Sequence, residues 1–273
     1  MVADALSAFI DPPKAALPVT PISDLHAHCG NCRSQHLCLP AGLSPESIRQ
    51  VNSVVVNRAR VKKRDSLYHA GEHFAALYAI RLGTFKTLVL TEDGREQISG
   101  YHMPGDLLGL DGIGRDRYGC RAVALEDGEV CVLPFERLDE LARAVPLLQR
   151  NLYRSLGNEI CQHQNILLLL GSRCAEERVA MFLLNLAEAF RERGYSSSEF
   201  VLSMSRQEIA SYLGLKLETV SRLFSQLQEE GLIQVQGRAI KLLNLPALKR
   251  SVGADSLSQT RCIDFAYIYF GRF

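Results

Sequence analysis

Three cysteines, Cys29, Cys32 and Cys38, stand in the stretch HAHCGNCRSQHLC with two and then five residues between them. Thiolates are the soft ligands that select zinc, copper(I) and iron–sulfur clusters. Three of them almost complete a tetrahedral site and leave a fourth ligand to be found. A structural zinc site draws on paired sets of ligands, and the chain has no second Cys-x-x-Cys. The spacing also departs from both common ferredoxin arrangements, although a cluster needs only four well-placed thiolates. The other cysteines are Cys120, Cys131, Cys161, Cys174 and Cys262. Cys161 and Cys174 fall in or beside helical stretches, where a small buried hydrophobe is the ordinary explanation, and Cys262 lies in a patternless tail. That leaves Cys120 and Cys131, which residue chemistry alone barely separates. His26, His28 and His36 could donate to a metal, but exposed loop histidines more often do not.

A second constellation lies in SRQEIASYLGLKLETVSRLFSQLQEEGLI. Ser205 and Glu208 have the spacing of a capping box, each satisfying a free N–H at the start of a helix. Ile209, Ala210 and Leu213 face inward, and Gly214 permits the tight turn to a second helix. Val220, Leu223 and Leu227 pack that helix, which leaves Glu218, Thr219, Ser221 and Arg222 outward near its N-terminus. Those positions reach base edges in a helix-turn-helix. A carboxylate accepts from cytosine N4, and a guanidinium grips guanine O6 and N7 bidentately. Glu218 and Arg222 lie four apart on one face, so they either read bases or pair with each other for only about 0.2–0.5 kcal/mol. The following LIQVQGRAIKLLN reads as two short strands around Gly237 and Arg238, a wing.

The chain that must position these groups has 273 residues, 47% of them hydrophobic, enough for two domains with separate cores. The net charge of +1 argues neither for nor against nucleic acid, because one face can be basic on a balanced molecule. No apolar run, Ile166 to Leu170 included, approaches the roughly 20 residues a bilayer needs. The N-terminus lacks the order of a signal peptide, so the expected compartment is the cytoplasm, with the cysteines reduced. Residues 1–25, with Pro12, Pro13, Pro18 and Pro21, read as a flexible arm. From about Val61 to Pro134, runs such as ALYAIRLG and FKTLVLT alternate with turn residues, the pattern of a small antiparallel barrel or roll. After Pro146, Leu152, Leu156, Ile160, His163, Leu167 and Leu170 recur at steps of four, four, three, four and three. So long and narrow a seam favours a dimer helix that also touches the roll over a helix packed only on its own domain. AEERVAMFLLNLAEAF opens a C-terminal helical domain, and 251–273 has no assignable pattern. The expected class is α+β, divided at 1–25, 26–145, 146–171, 172–250 and 251–273.

A roll, a long helix and a winged helix-turn-helix in that order resemble the cyclic-AMP receptor superfamily of bacterial transcription regulators. Within it the chain is similar, over about residues 26 to 250, to the fumarate and nitrate reduction regulators, the oxygen-sensing branch. The motifs that carry the likeness are HCGNCRSQHLC, GREQISGYHMPGDLLGLDGIG, VCVLPFERLDEL, AEERVAMFLLNL and YLGLKLETVSRLF. The family's distant cluster cysteine stands just before a PFE element, as Cys131 stands before Leu133-Pro134-Phe135-Glu136. The resemblance therefore implies that Cys29, Cys32, Cys38 and Cys131 bind a 4Fe-4S cluster and that Cys120 is structural. It implies no cyclic-nucleotide response: the Arg-Ser pair that holds the phosphate elsewhere is replaced by Tyr118-Gly119-Cys120, although Arg115 and Arg117 lie close by. It further implies a homodimer on double-stranded DNA, at a palindrome similar to TTGAT-N4-ATCAA, and contact with RNA polymerase through the loop that includes Glu92, Asp93 and Gly94. Oxygen attack on the cluster would then dissolve the dimer and release DNA.

Two residues depart from the family. His163 stands in the seam where relatives carry an acidic residue whose repulsion keeps the cluster-free protein monomeric. A neutral imidazole repels nothing, whereas two imidazolium charges across a two-fold axis would oppose association. Arg33 follows Cys32 directly, where small residues are often found; its charge could favour thiolate ligation or alter the access of oxygen, or do neither. The alternatives are a zinc- or thiol-redox-controlled regulator of the same fold and, in a different class, an iron–sulfur electron carrier. Against the carrier, the helix-turn-helix would be superfluous, no nucleotide-cofactor fingerprint is present, and no catalytic residue is assigned.

Overall fold

Two sheets face each other in the N-terminal half, built from short strands separated by turns in which Gly71, Gly83 and Gly105 take positive φ. The computed structural model describes residues 20–21, 29–55, 57–90, 94 and 96–252. In chain order the elements of this half are β1 (Thr20–Pro21), α1 (Pro45–Val54), β2 (Asn57–Val61), β3 (Ser66–Tyr68), β4 (Ala76–Leu82), β5 (Phe85–Leu90), β6 (Glu96–His102), β7 (Leu107–Leu108), β8 (Arg121–Ala124), β9 (Gly128–Pro134) and α2 (Phe135–Ala144). One sheet runs β1-β2-β9-β4-β7 and the other β3-β8-β5-β6. Leu67, Leu77, Phe85, Leu108, Val130 and Leu133 fill the space between them. The turn from β4 to β5 depends on Gly83: its φ is 83°, and a Cβ there would lie 2.9 Å from Gly128 Cα, so any side chain would meet backbone that cannot yield.

Of the arm read over 1–25, Thr20 and Pro21 are described, and they pair with Arg60 and Ala59 at the edge of the sheet, where a missing N–H is tolerated. The tail after Val252, Cys262, His26, His28, Glu92 and Asp93 lie outside the described residues. Of the loop expected to meet polymerase only Gly94 is described; it is exposed, with φ 80°.

The long helix α3 (Pro146–Ser172) changes neighbours along its length. Leu148 and Leu152, the latter 5% exposed, belong to the core of the roll, and Leu156 packs against it. Asn151, also buried, donates from Nδ2 to Leu39 O at 2.8 Å and Ala41 O at 2.9 Å, which ties the cysteine-bearing loop to this helix. Further on, Ile160 is 58% and Leu167 70% exposed, with Leu168 and Tyr153 also open. His163 points outward with Glu159 Oε1 3.7 Å from its Nε2. Leu169 and Leu170 close on the C-terminal domain. The six-position seam is therefore not uniform. Leu152 and Leu156 serve the roll of their own chain, and the free apolar strip centres on Ile160 and Leu167, with Tyr153 and Leu168 added.

The second core holds α4 (Ala175–Glu192), β10 (Glu199–Val201), α5 (Arg206–Leu213), α6 (Leu217–Glu229), β11 (Ile233–Gln236), β12 (Ala239–Leu242) and α7 (Leu245–Ser251). Val179, Leu183, Ile209, Leu213, Val220 and Ile240 are its centre. This domain sits on the roll through α5. Lys86 Nζ meets Glu208 Oε1 at 2.7 Å, Ile98 N donates to Ser211 Oγ at 3.2 Å, and the rings of Tyr101 and Tyr212 stand 4.8 Å apart. Among the described residues no helix is long and apolar enough to cross a membrane.

Candidate metal centre and nucleic-acid interface

The loop from Cys29 is wound into successive short turns. Cys32 N donates to Cys29 O at 3.1 Å, Cys38 N to Ser34 O at 3.1 Å and Ala41 N to Cys38 O at 3.0 Å. Asn52 of α1 anchors the start, its Oδ1 accepting from Cys29 N at 2.9 Å. Cys131 approaches from beneath. It lies in β9 between β2 and β4, opposite Arg58 on one side and Ala79 on the other, and all four cysteines line one cavity with Arg58 and Arg81. Of the two cysteines that residue chemistry alone barely separates, Cys120 is buried elsewhere, its sulfur 3.8 Å from Tyr68 Oη, beneath a stack in which the rings of Tyr68 and Tyr118 are 4.0 Å apart.

The donor set in this cavity is sulfur. Among the described residues no imidazole or carboxylate lines it, and His36 turns away, its Nε2 3.0 Å from Glu192 O. Nor do any three His, Cys, Asp or Glu side chains among the described residues converge tightly enough to hold a single ion. A zinc would draw its four ligands to within about 2.3 Å; a cage of four irons holds its thiolates further apart. By donor chemistry the four thiols suit an iron–sulfur cluster, as they would a zinc ion. Burial pushes the Cys131 thiol up to about 12, with Cys29 and Cys32 adding to the effect while Arg58 and Arg81 oppose it. Burial also raises Cys38, reinforced by Cys131, and Cys29, where Arg58 again pulls down. Ligation must displace these protons, so loading of the site depends on pH.

Sequence reading missed Arg58, Asn52 and Asn151 around this site. The alternation of arginines in NRARV, Arg58 and Arg60, was the available signal for Arg58. Cys174 also departs from expectation: it is exposed at the N-cap of α4, its N–H donating to Glu177 Oε2 at 3.0 Å, because the helix starts there. Cys161 is half-buried.

In the reading domain Ser205 Oγ accepts from Glu208 N at 3.2 Å, and Glu208 Oε2 accepts from Ser205 N at 2.7 Å. Burial raises the Glu208 carboxyl, but the bonds from Lys86 and Ser205 outweigh it and hold the group below its ordinary value. Gly214, with φ 62°, ends α5 in the left-handed region. Along α6, Glu218, Ser221 and Arg222 are exposed and Thr219 is half-buried, so the four candidate base-reading residues stand together on the outer face of the first turns. β11 and β12 pair as a hairpin, Gln236 opposite Ala239, with Gly237 at φ 61° in the loop.

Where the cysteine loop meets α4, burial pushes the Glu192 carboxyl up to about 7; Glu188 and Asp106 add to this, and Arg193 and Arg191 oppose it. A raised folded-state value means stability present below the unfolded carboxylate range and lost as pH rises toward 7. Glu192→Gln is therefore expected to raise the melting temperature at pH 8 by on the order of 2–4 °C and to leave it unchanged at pH 4.5, by scanning fluorimetry. Equal shifts at both values would remove the titration as the cause.

Residues 58–144 match the cyclic nucleotide-binding domain, and residues 177–251 match the Crp-like helix-turn-helix domain. The chain is 44% identical over 218 residues to the transcriptional activator protein anr of Pseudomonas aeruginosa, covering 80% of this chain and 89% of that protein. It is 41% identical over 226 residues to the fumarate and nitrate reduction regulatory protein of Escherichia coli, covering 83% and 90%. Among solved structures, FixK2 from Bradyrhizobium japonicum is similar with a TM-score of 0.65 at 32% identity, over 71% of this chain and 95% of that one.

Proposed function

Since the chain belongs to the cyclic-AMP receptor superfamily, in its fumarate and nitrate reduction regulator branch, and is a DNA-binding transcription regulator, we propose that it reports oxygen through a 4Fe-4S cluster held by Cys29, Cys32, Cys38 and Cys131. The observation that carries the reading is the cavity that brings three loop cysteines over Cys131 of β9, with no imidazole or carboxylate among the described residues that line it. When bound, such a cluster supplies an oxygen-labile tie between the loop and the roll. The chain's own residues extend that tie: Asn151 holds the loop carbonyls of Leu39 and Ala41 from α3, so order in the loop is order beside the dimer helix.

The proposed self-contact uses Ile160, His163 and Leu167. At roughly 1.5–3 kcal/mol for each fully buried large apolar side chain, against an association cost of about 4–15 kcal/mol, the strip supports a marginal dimer that a modest input can tip. Two α6 helices on a two-fold axis place Glu218, Thr219, Ser221 and Arg222 in half-sites about one helical turn apart, at a palindrome like TTGAT-N4-ATCAA. Contact with RNA polymerase is assigned to the loop of Glu92, Asp93 and Gly94 by family position. No cyclic nucleotide enters the proposal; Asp111 Oδ2 accepts from Gly119 N at 2.7 Å, which puts a carboxylate beside the stretch where the Arg-Ser pair would hold a phosphate. An iron–sulfur electron carrier of another class does not match the family.

Anaerobic purification is expected to give about four irons and four labile sulfides per chain, with a dimer that binds the palindrome and loses both properties in air. A colourless protein with stoichiometric zinc would overturn the cluster and leave the zinc-controlled regulator.

A further inference from the structure

Two side chains leave the cysteine loop between its second and third cysteines, and both reach the reading domain. The Arg33 guanidinium carbon stands 4.8 Å from the centroid of the Tyr195 ring. His36 Nε2 is 3.0 Å from Glu192 O, a bond in which the ring N–H donates. Glu192 ends α4, and Tyr195 follows in the turn that Gly194, at φ 74°, allows. The same turn is fixed to the roll by Arg193, whose side chain is 8% exposed and donates to Asp106 Oδ1 at 2.8 Å and to Pro104 O at 2.9 Å. Gly105 lies between those two, and a Cβ there would come 2.7 Å from Leu37 Cβ of the cysteine loop. Loop, roll and the first helix of the reading domain therefore meet at one place.

We propose that Arg33 and His36 are positioning residues that set the orientation of the reading domain directly from the cysteine loop, within one chain and in addition to dimerisation. The proposal rests on the reading that Cys29, Cys32, Cys38 and Cys131 hold an oxygen-labile group. Arg33 and His36 are exposed, and contacts by exposed, freely rotating side chains are weak because ordering them opposes the gain. With Cys32 and Cys38 tied on either side, that ordering is already in place and the two contacts act on α4. With the cysteines released, the loop regains its freedom and the same contacts hold little. The stretch between the two cysteines thus works as a latch that is firm only while its ends are pinned.

A double-mutant cycle tests this. Arg33→Ala, Tyr195→Leu and the double variant are titrated by fluorescence anisotropy against a labelled TTGAT-N4-ATCAA duplex, at concentrations where sedimentation shows the dimer complete, with iron and sulfide assayed on each sample. In cluster-loaded protein each single variant is expected to lose about fivefold in affinity, the double to lose no more than either single, and Tyr195→Phe, which keeps the ring, to match the wild type. In air-treated protein all variants are expected to bind alike. Tyr195→Leu, remote from the ligands, keeps the test readable if Arg33→Ala loads less iron; hydrogen exchange over residues 190–196 should then be faster in that variant only when the cluster is present. Additive losses, or equal losses in loaded and air-treated protein, would overturn the latch. A wild type lacking iron and sulfide would overturn the functional reading alone. The cycle on that protein still decides the contact, coupling supporting it and additivity removing it.

Discussion

Replacing Cys131 by alanine is expected to remove all of the iron and sulfide from the purified protein, not a quarter of them, and to lower operator affinity to that of air-treated wild type. The reason is positional. Cys29, Cys32 and Cys38 share one short loop, and Cys131 alone links the site to the sheet, in β9 between β2 and β4. Without it the loop has three thiols and no fixed wall. Loss of the coupling between sensor and reader should cost roughly 5- to 150-fold in DNA affinity, the usual span of such couplings. The fold itself should survive, because trimming one small side chain from a half-buried position costs on the order of 1 kcal/mol. Cys120→Ala, beneath the tyrosine stack, is the matched control and should keep its full metal content. Iron and sulfide analysis with anisotropy titration reads both; a Cys131→Ala protein with wild-type iron and wild-type affinity would move the fourth ligand elsewhere.

Arg222→Ala should weaken binding to the palindrome far more than to scrambled DNA. Arg222 is exposed on α6, one turn beyond Glu218, on a helix whose other face is fixed by Val220, Leu223 and Leu227 in the core. A bidentate guanidinium contact discriminates by about 1–3 kcal/mol against the wrong base, and a two-fold dimer makes it twice. The salt dependence should stay nearly as in wild type, since a base contact releases no counterion, whereas loss of a phosphate contact lowers the slope by about one. Titrations of both duplexes over a range of salt concentrations separate the cases. Equal loss on both, with a shallower slope, would make Arg222 a backbone contact.

The reading head was legible because its signals are local: Ser205 and Glu208 lie three residues apart, and Gly214 marks the turn they lead to. Cys131 was legible only through the family resemblance, since Val130, Cys131, Val132 and Leu133 are all apolar and their run does not say which residue faces the roll's interior. Only the pairing of β9 with Arg58 and Ala79 turns the Cys131 sulfur toward the loop. Periodicity located the face of α3 but could not say what covers it, so Leu152 and Leu156 were grouped with Ile160 and Leu167, although the first pair completes the roll. The contacts of Arg33 and His36 with residues some 156 positions away leave no trace in local sequence.

Between Leu156 and Ile166, α3 has left the roll and has not yet joined the second core, against which Ile166 and Leu169 pack. Gly157 lies just inside that interval, and Gly171 five residues past it; neither has any atom beyond its own stretch of helix within 4 Å of where a Cβ would stand. A glycine inside a helix costs roughly 0.5–1 kcal/mol relative to alanine, and an unsupported helix of this length is marginal in water. The free stretch is thus the part of the helix least able to keep its own winding, and a second copy laid along it would supply order as well as contact. Self-association then carries a helix–coil contribution, and its strength can be tuned from within one chain by propensity alone, without altering any side chain that touches the partner.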